Sequence, residues 1–378
     1  MRLLDKIKGM RRWTQLVFSA AAALSLSLAG CGDFFTPRTD TGATASNVYA
    51  SNFNAAGPGS VSVYTLNSSS GALASAGGAV STGSGAQSDG PAAVTVVSRR
   101  FLYTANDGGS VSAFAVSSTG ALSLITGSPF AAGANPTAIA ATPSGSFLYV
   151  ADSGSNDIAA YSINSSTGAL TQISGSPFTT SGQPFGITID PTGKFLYASM
   201  DSAGIAAFTI NATSGALSLV RDVPPFTGGR PQAAVVERQG NFLYAADGVS
   251  GVEVFSINST TGDLSAVGSA AFAAGSGPVA VATDSNSKFV YVANQDSNNV
   301  TAFAILSDGT LTQINGSPFT TGSRPAALQL DPSGKFLYVA DFSGNSISIF
   351  ALDASVPGKL NTAGSASTGN QPSGIAFH

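Results

Sequence analysis

Short runs of alternating apolar and polar residues, separated by turns rich in Gly, Pro and Ser, extend along most of this chain. In the segment 184–220 four such runs follow one another, at 184–189, 195–198, 205–210 and 216–220. Alternation with a period of two is typical of β-strands. The turn at 190–193, Asp-Pro-Thr-Gly, has the residue types of a type I turn. The segment therefore predicts four antiparallel strands, the unit of a propeller blade.

The same unit recurs at a nearly constant interval. One tyrosine in the second strand marks each copy, and successive copies are 54, 46, 48, 47, 47 and 47 residues apart. A repeat of this length indicates units that bury their faces only against their neighbours. We expect an all-β fold over residues 47–378, a seven-bladed β-propeller with four antiparallel strands per blade. The marker residues are Tyr49, Tyr103, Tyr149, Tyr197, Tyr244, Tyr291 and Tyr338.

Two further residue types recur at the same position in every copy of the repeat. A proline opens each first strand, where a missing N–H donor is tolerated, and an aromatic residue in each third strand is expected to fill the space between sheets. The prolines are Pro91, Pro136, Pro184, Pro231, Pro278, Pro325 and Pro372. The aromatic residues are Tyr64, Phe114, Tyr161, Phe208, Phe255, Phe303 and Phe350.

The two ends of the repeat region complement each other. The first tyrosine copy has no proline-led strand before it, and residues 371–377 supply such a strand with nothing after it. We expect this C-terminal strand to become the innermost strand of blade one and so to close the ring. Closure removes the exposed sheet edges that invite aggregation.

The first 31 residues have the pattern of an export signal. Five basic residues precede an apolar run at 16–28 that is short for a membrane span. The run ends in Leu-Ala-Gly-Cys at 28–31, which resembles the lipobox of bacterial lipoproteins. That resemblance implies lipidation at Cys31 and, because Gly32 follows, anchoring at the outer membrane. An ordinary signal peptide with a chance cysteine is the alternative. Residues 32–46 are polar and non-periodic, and we expect a flexible tether.

Charge narrows the range of partners. Residues 32–378 carry 11 basic and 19 acidic side chains, a net charge near −8, which disfavours nucleic acid. Cys31 is the single cysteine, so no disulfide or thiolate metal site is expected. We expect a monomer without metal or cofactor that contacts the membrane only through its anchor. Its partner would be a small molecule, a glycan or an envelope protein.

The repeat unit itself resembles a known family. The segment 325–341, with its Asp-Pro-Ser-Gly-Lys-Phe-Leu-Tyr core, and the Gly-Ala-Leu turns at 168–170 and 215–217 are similar to lactonase-type seven-bladed propellers. That family includes 6-phosphogluconolactonase and carboxymuconate cyclase, so the resemblance implies a lactone hydrolase. The family's proposed chemistry uses a cluster of His, Arg and Glu around the central channel.

The residues for that cluster are not recognisable in this chain. Its only histidine is His378, which by register occupies a turn position held elsewhere by Asp190, Asp284 and Asp331, so a structural role is expected. The only glutamates after residue 31 are Glu237, in a turn, and Glu253, in a third strand. No catalytic residue can therefore be transferred from the family.

Candidate binding residues are those that depart from the repeat near the channel. The residue before each opening proline is expected at the channel mouth: Gly90, Asn135, Gln183, Arg230, Gly277, Arg324 and Gln371. Two arginines and three amides converging on one axis can hold a carboxylate or sugar hydroxyls. Phe185 is expected beside them in the channel. The alternative is that Arg230 and Arg324 pair with turn aspartates at the surface.

Asn or Asp recurs three residues after each tyrosine except in blade four, where Met200 breaks the series. The residues at this position are Asn52, Asn106, Asp152, Met200, Asp247, Asn294 and Asp341, and we expect the polar side chains to cap the turn into the third strand rather than to bind Ca²⁺. The sequence thus predicts a lipid-anchored propeller that acts as a binding or scaffold module. The alternative is a sugar-lactone hydrolase that uses Arg230, Arg324 and a channel carboxylate.

Overall fold

The computed structural model describes residues 46–54, 59–83, 90–201, 203–225, 229–249 and 251–378. These residues form seven antiparallel sheets arranged as the blades of a propeller, which confirms the predicted fold. Within these ranges, no helix has the length and hydropathy that a membrane span requires. The predicted signal, the lipobox at Cys31 and nearly all of the tether lie outside the described residues.

The innermost strand of each blade begins at one of the seven prolines, as predicted. Each inner strand contacts the inner strands of the two neighbouring blades, so the seven enclose a central channel. These strands are β5 (Pro91–Val97), β10 (Pro136–Ala141), β15 (Pro184–Ile189), β19 (Pro231–Val236), β23 (Pro278–Thr283), β28 (Pro325–Leu330) and β32 (Pro372–Phe377).

The second and third strands make up the buried centre of each blade. The second strands are β1 (Ser46–Asn52), β6 (Phe101–Asn106), β11 (Phe147–Asp152), β16 (Phe195–Met200), β20 (Phe242–Asp247), β24 (Phe289–Asn294) and β29 (Phe336–Asp341). The third strands are β2 (Ser60–Leu66), β7 (Ser110–Val116), β12 (Asp157–Ile163), β17 (Gly204–Ile210), β21 (Gly251–Ile257), β25 (Asn299–Ile305) and β30 (Ser346–Leu352).

The outer strands vary most between blades. They are β3 (Leu73–Ser75), β8 (Leu122–Leu124), β13 (Leu170–Gln172), β18 (Leu217–Val223), β22 (Leu264–Ala266), β26 (Leu311–Gln313) and β31 (Leu360–Ser367). In blade four the predicted run 216–220 is therefore longer, because β18 continues to Val223. Four blades add a two-residue strand beside the third: β4 (Val80–Ser81), β9 (Phe130–Ala131), β14 (Phe178–Thr179) and β27 (Phe319–Thr320).

Blade one is built from both ends of the repeat region. β32 pairs with β1 from Val48 opposite Phe377 to Asn52 opposite Pro372. Ile375 packs in a cluster with Val48 of its own blade and with Tyr338 of blade seven. The C-terminal strand therefore closes the ring as predicted.

The hydrophobic core lies between neighbouring blades. One cluster, for example, joins Tyr103 and Val111 of blade two to Leu148 and Tyr161 of blade three. The third-strand aromatic residues are at most 4% exposed in all seven blades, in agreement with their expected role between sheets. Such burial of large rings supplies most of the favourable free energy of folding.

The marker tyrosines connect adjacent blades. In six blades the tyrosine hydroxyl donates to a glycine carbonyl in the turn before the outer strand of the next blade, at 2.7–3.2 Å. These acceptors require glycine: a Cβ on Gly168, whose φ is 73°, would lie 2.4 Å from a ring carbon of Phe101. Tyr291 differs, because its buried hydroxyl has no partner among the described residues. The bonded pairs are Tyr49–Gly120, Tyr103–Gly168, Tyr149–Gly215, Tyr197–Gly262, Tyr244–Gly309 and Tyr338–Gly71.

Candidate functional site

A β-bulge follows the opening proline of every inner strand. In each blade the residue after the proline is skipped in the pairing with the second strand. A bulge redirects the side chain of the extra residue, and here all seven extra residues line one central cavity of about 330 Å³. We call this set the bulge ring: Ala92, Thr137, Phe185, Gln232, Val279, Ala326 and Ser373.

The residues before the prolines form a second layer, the mouth ring, made of the seven residues predicted from sequence. One backbone hydrogen bond holds each of them: its carbonyl accepts from the N–H of the residue four after the marker tyrosine, at 2.7–3.1 Å. We call these donor residues the rim ring: Phe53, Asp107, Ser153, Asp201, Gly248, Gln295 and Phe342. Because the bond uses only main-chain atoms, the side chains of both rings are free to differ between blades.

Four mouth-ring residues have a left-handed backbone, and three of them are not glycine. The φ values are 52° for Asn135 and 55° for both Arg324 and Gln371. Non-glycine residues in this region carry conformational strain that concentrates at functional sites. Asparagine side chains of the preceding blade stabilise two of them. The N–H of Arg324 donates to Asn298 Oδ1, and the N–H of Gln371 donates to Asn345 Oδ1.

Arg230 forms a two-pronged ion pair across two blades. Its Nε donates to Asp201 Oδ1, and its Nη2 donates to Asp201 Oδ2 at 2.9 Å. The two side chains are 55% and 20% exposed, so the pair is accessible from the mouth. The hydrogen bond and the charge of Asp201 both raise the pKa of Arg230 above its ordinary value. The prediction that arginines pair with turn aspartates is therefore correct for Arg230.

Arg324 occupies the equivalent place in blade seven but has a neutral partner. Its Nη2 donates to Gln295 Oε1 at 3.0 Å, and no carboxylate pairs with it within the part of the chain that the structure describes. The alternative of an aspartate partner is therefore wrong for this residue. Since an amide does not neutralise a guanidinium, Arg324 keeps its positive charge at the mouth.

The other predicted site residues lie in the same two layers. Asn135 and Gln183 are exposed in the mouth ring, and Gln371 is half-buried there. Phe185 belongs to the bulge ring, one layer further into the channel. The structure thus brings all six candidate residues to one end of the channel. Their binding role stays a prediction.

Sequence reasoning missed the rim ring. Asp201 and Gln295, the partners of the two arginines, belong to it, as do Phe53 and Phe342, whose ring centroids are 6.3 Å apart. The available signal was the position four after each tyrosine, which varies freely while its neighbours repeat. Gln232 of the bulge ring was missed too, because the bulge cannot be seen in the sequence.

His378 lies at the far end of the channel from the mouth. It follows β32, which begins at the mouth with Pro372, and its ring Nε2 lies 2.6 Å from the carbonyl oxygen of Arg99. Burial lowers its pKa below the ordinary value, which favours neutral imidazole. His378 thus directly follows the inner strand, in the register predicted from the sequence, and lies apart from the arginines. No group of three or more potential metal ligands occurs in the described ranges.

In blades one, two, six and seven the residue three after the tyrosine caps the third strand as expected, whereas Met200 in blade four cannot. Asn106 Nδ2, for instance, donates to the hydroxyls of Ser110 and Ser112. Blade three departs from this arrangement, because Asp152 faces a second carboxyl group, Asp157, across the strand pair.

Asp152 is fully buried and lacks the hydroxyl donors of the other caps. Neither of its oxygens has a well-formed hydrogen bond among the described residues. Its pKa is raised to about 7, mainly by burial and also by the charge of Asp157, while the N–H groups of Gly133 and Ala159 act in the opposite direction. The two carboxyl groups of Asp152 and Asp157 therefore favour a state in which they share one proton.

A second depression, of about 560 Å³, lies between blades five and six and includes Gly248 of the rim ring and Gly277 of the mouth ring. Residues 273–277 line much of it, beside Val249 and Asp296. It is wide and open, and among the described residues of its lining only Asp296 has a charged side chain. The mouth as a whole, where charged groups and amides converge, is the better candidate site.

Comparison with known proteins agrees with the fold. The model of a family described as lactonase, 7-bladed beta-propeller, matches residues 58–180, 173–276 and 268–377. No curated protein is similar enough in sequence to match the chain.

Solved structures with the same fold include three bacterial proteins. A candidate 6-phosphogluconolactonase from Bacteroides uniformis has a TM-score of 0.74 at 20% identity, covering 88% of this chain and 99% of that one. The periplasmic gluconolactonase of Pseudomonas aeruginosa gives the same four values. A candidate 6-phosphogluconolactonase from Bacteroides fragilis has a TM-score of 0.73 at 22% identity, with 91% and 100% covered. At these identities the likeness establishes the fold alone.

Proposed function

Since the chain belongs to the lactonase family of seven-bladed β-propellers, we propose that it hydrolyses a sugar lactone at the channel mouth. The single observation that carries this proposal is the Arg230–Asp201 pair, which places a hydrogen-bond donor and a carboxylate side by side above the channel. The likeness to a periplasmic gluconolactonase supports the same reaction class.

The two side chains have complementary roles in this reaction. The guanidinium of Arg230 donates to the lactone carbonyl oxygen and stabilises the negative charge that develops there. The carboxylate of Asp201 accepts a proton from a water molecule as its oxygen attacks the carbonyl carbon. The tetrahedral intermediate then expels the ring oxygen, which takes the proton from Asp201, and an open-chain hydroxy acid results.

Arg324 binds the product of the reaction. Its guanidinium has only a neutral partner, Gln295, and so attracts the carboxylate that hydrolysis creates. Asn135, Gln183 and Gln371 supply amide groups for sugar hydroxyls around the same opening. Among the described residues, the mouth thus contains a charged pair for the carbonyl, one cation without a carboxylate partner, and amides for orientation.

A lactonase assay on the purified domain tests the proposal. Asp201→Asn keeps the shape of the pair but removes the base, and we expect kcat to fall by about 10²–10⁴-fold. Arg221→Ala is the matched control, since Arg221 forms an exposed ion pair with Asp263 on an outer strand. Equal activity of wild type and Asp201→Asn would disprove the assignment of the base.

A binding module without catalysis is the second candidate. The observation that favours it is the bulge ring, which contains no ionisable side chain, together with the position of His378 at the opposite end. In that case no lactone is turned over, while Arg324→Ala weakens binding of a sugar acid such as gluconate. Because both candidates predict that Arg324 binds a sugar acid, the lactonase assay, and not the titration, distinguishes them.

The proposed location is the bacterial cell envelope, with lipid at Cys31 as the anchor. The support is the Leu-Ala-Gly-Cys segment at 28–31, which follows an apolar run. We expect Cys31→Ser to block lipid attachment, observed by mass spectrometry, and to shift the protein out of the membrane fraction. Wild-type protein without acyl chains in the soluble cytoplasmic fraction would contradict this location.

A further inference from the structure

Side chains of the mouth ring and the rim ring meet at the junctions between blades. Arg230 of blade five bonds to Asp201 of blade four, and Arg324 of blade seven bonds to Gln295 of blade six. In both pairs the mouth-ring side chain of one blade contacts the rim-ring side chain of the blade before it. Each pair therefore closes its junction with side chains.

The junction between blades five and six has glycine at both of these positions, Gly277 in the mouth ring and Gly248 in the rim ring. A Cβ built on Gly248 would lie 3.8 Å from the carbonyl oxygen of Pro278, which directly follows Gly277. No other junction combines two glycines. The depression of about 560 Å³ is the opening that results, and the two arginine junctions flank it.

The two glycines have different structural requirements. Gly277 has a φ of 66°, and a Cβ there would lie 2.6 Å from Asp296 Oδ2, so the backbone requires glycine. For Gly248 the nearest atom to such a Cβ is Gln232 Cγ at 3.5 Å, an ordinary van der Waals contact. The fold therefore accepts a side chain at position 248, and the glycine leaves the depression open.

The lining of the depression combines an acceptor, a hydroxyl and small apolar groups. The carboxylate of Asp296 is exposed and accepts no side-chain or main-chain hydrogen bond from the described residues. Ser276 and Ala273 are exposed beside it, and Val249 is 65% exposed. A carboxylate is a strong acceptor for hydroxyl groups, and it repels a second anion. A neutral sugar, with hydroxyl donors at its edge and C–H groups on its faces, fits this lining.

On the basis of the proposed function, we propose that the substrate is a lactone at the end of a neutral oligosaccharide. The lactone lies at Arg230 and Asp201, and the adjoining sugar lies in the depression. The two places are directly connected, because the N–H of Gly248 donates to the carbonyl of Arg230 at 3.1 Å. The volume of about 560 Å³ is within the range of small-molecule sites, roughly 300–1,000 Å³.

Calorimetric titration with gluconate, maltobionate and lactobionate tests the depression without any reaction. All three contain the same aldonic acid, which Arg324 is expected to bind, and the last two add a glucose or a galactose residue. One hydrogen bond to a charged acceptor corresponds to roughly ten-fold in Kd or more. We expect at least one disaccharide acid to bind roughly ten-fold more tightly than gluconate. Disaccharide acids that bind no more tightly than gluconate overturn the inference.

Two variants of the depression and one control make the test specific. Gly248→Trp fills the depression and is expected to abolish the preference for the disaccharide acid. Asp296→Asn keeps the shape but removes the charged acceptor, and is expected to reduce the preference several-fold. Ser343→Trp adds the same ring to an exposed turn of blade seven and is expected to preserve the preference.

Circular dichroism melting confirms that each variant is folded. Because the two depression variants alter different strands of the argument, one in volume and one in charge, Asp296→Asn still decides if Gly248→Trp misfolds. A preference that is unchanged in the folded depression variants overturns the inference.

The kinetic experiment separates this inference from the proposed function. We expect a higher kcat/KM for the δ-lactone of the tighter-binding disaccharide acid than for glucono-δ-lactone. Hydrolysis of both lactones without such an increase overturns the inference and leaves the proposed function intact. If no lactone is hydrolysed, the proposed function fails, and the titration still decides whether the depression binds a sugar.

Discussion

Replacing Asp152 by asparagine is expected to stabilise the protein at neutral and alkaline pH. The buried carboxyl group faces Asp157 and lies near Tyr161, the other titratable group that senses its charge. Asparagine already occupies this position in blades one, two and six, as Asn52, Asn106 and Asn294. The substitution therefore introduces a residue that the same turn already accommodates.

The magnitude follows from the change in proton affinity on folding. Burial raises the pKa of Asp152 from 3.8 to about 7, so the folded protein binds more protons than the unfolded chain between about pH 4 and 7. The free energy of unfolding contributed by this group therefore falls as pH rises through that window. Three pH units at 1.36 kcal/mol each give about 4 kcal/mol. Relaxation around the charged pair reduces this, and we expect roughly 2–4 kcal/mol at pH 8.

Urea unfolding at pH 4.5, 6 and 8 measures the effect. The variant is expected to be more stable than wild type at pH 8, and the difference is expected to shrink steadily towards pH 4.5. Asp308→Asn is the control, since it removes one negative charge from an exposed turn whose hydrogen bonds lower the pKa of Asp308. Parallel pH profiles for wild type and Asp152→Asn would refute the reasoning.

Two further predictions concern the ring. Tyr149→Phe leaves the buried carbonyl of Gly215 without its donor and is expected to cost about 1–3 kcal/mol, whereas Tyr291→Phe removes an unpartnered hydroxyl and is expected to be neutral or stabilising. Denaturant midpoints of the two variants check this, and equal losses would contradict the role of the bond. Deleting residues 370–378 removes β32 with the buried Ile375, at about 2–5 kcal/mol for a large buried side chain, and with the partly buried Phe377. The truncated protein is expected to aggregate or to melt far below the full chain, and an unchanged melting temperature would show that β32 does not close the ring.

The fold was predictable because each blade repeats the same local signals. Prolines at the start of inner strands and tyrosines in second strands fix the register, and the lone C-terminal strand fixes the closure. The mouth ring was predictable for the same reason, since the opening proline sets the position of the residue before it. What differed from the prediction was the bounds of strands, for example those of β18, which continues to Val223.

The side-chain environment of the site depended on tertiary geometry. The bulge that turns Gln232 and Phe185 into the channel leaves no mark in the sequence, because it arises where seven inner strands converge. The partner of Arg324 is Gln295, 29 residues earlier in the preceding blade, where spacing alone suggested an aspartate. A repeat predicts positions, whereas the partners of a variable residue are set by the neighbouring blade.

A closed ring must still open somewhere when it begins to unfold, and the seven junctions are not equivalent. Six have the tyrosine-to-glycine bond, and the junction between blades six and seven lacks it because the Tyr291 hydroxyl is unpartnered. The C-terminal strand β32 closes the ring at blade one, which is a different junction. The first separation is therefore expected between blades six and seven, where the chain is continuous. In native-state hydrogen exchange, the amides of β24 and β29 would then exchange through a lower-energy opening than those of β11 and β16.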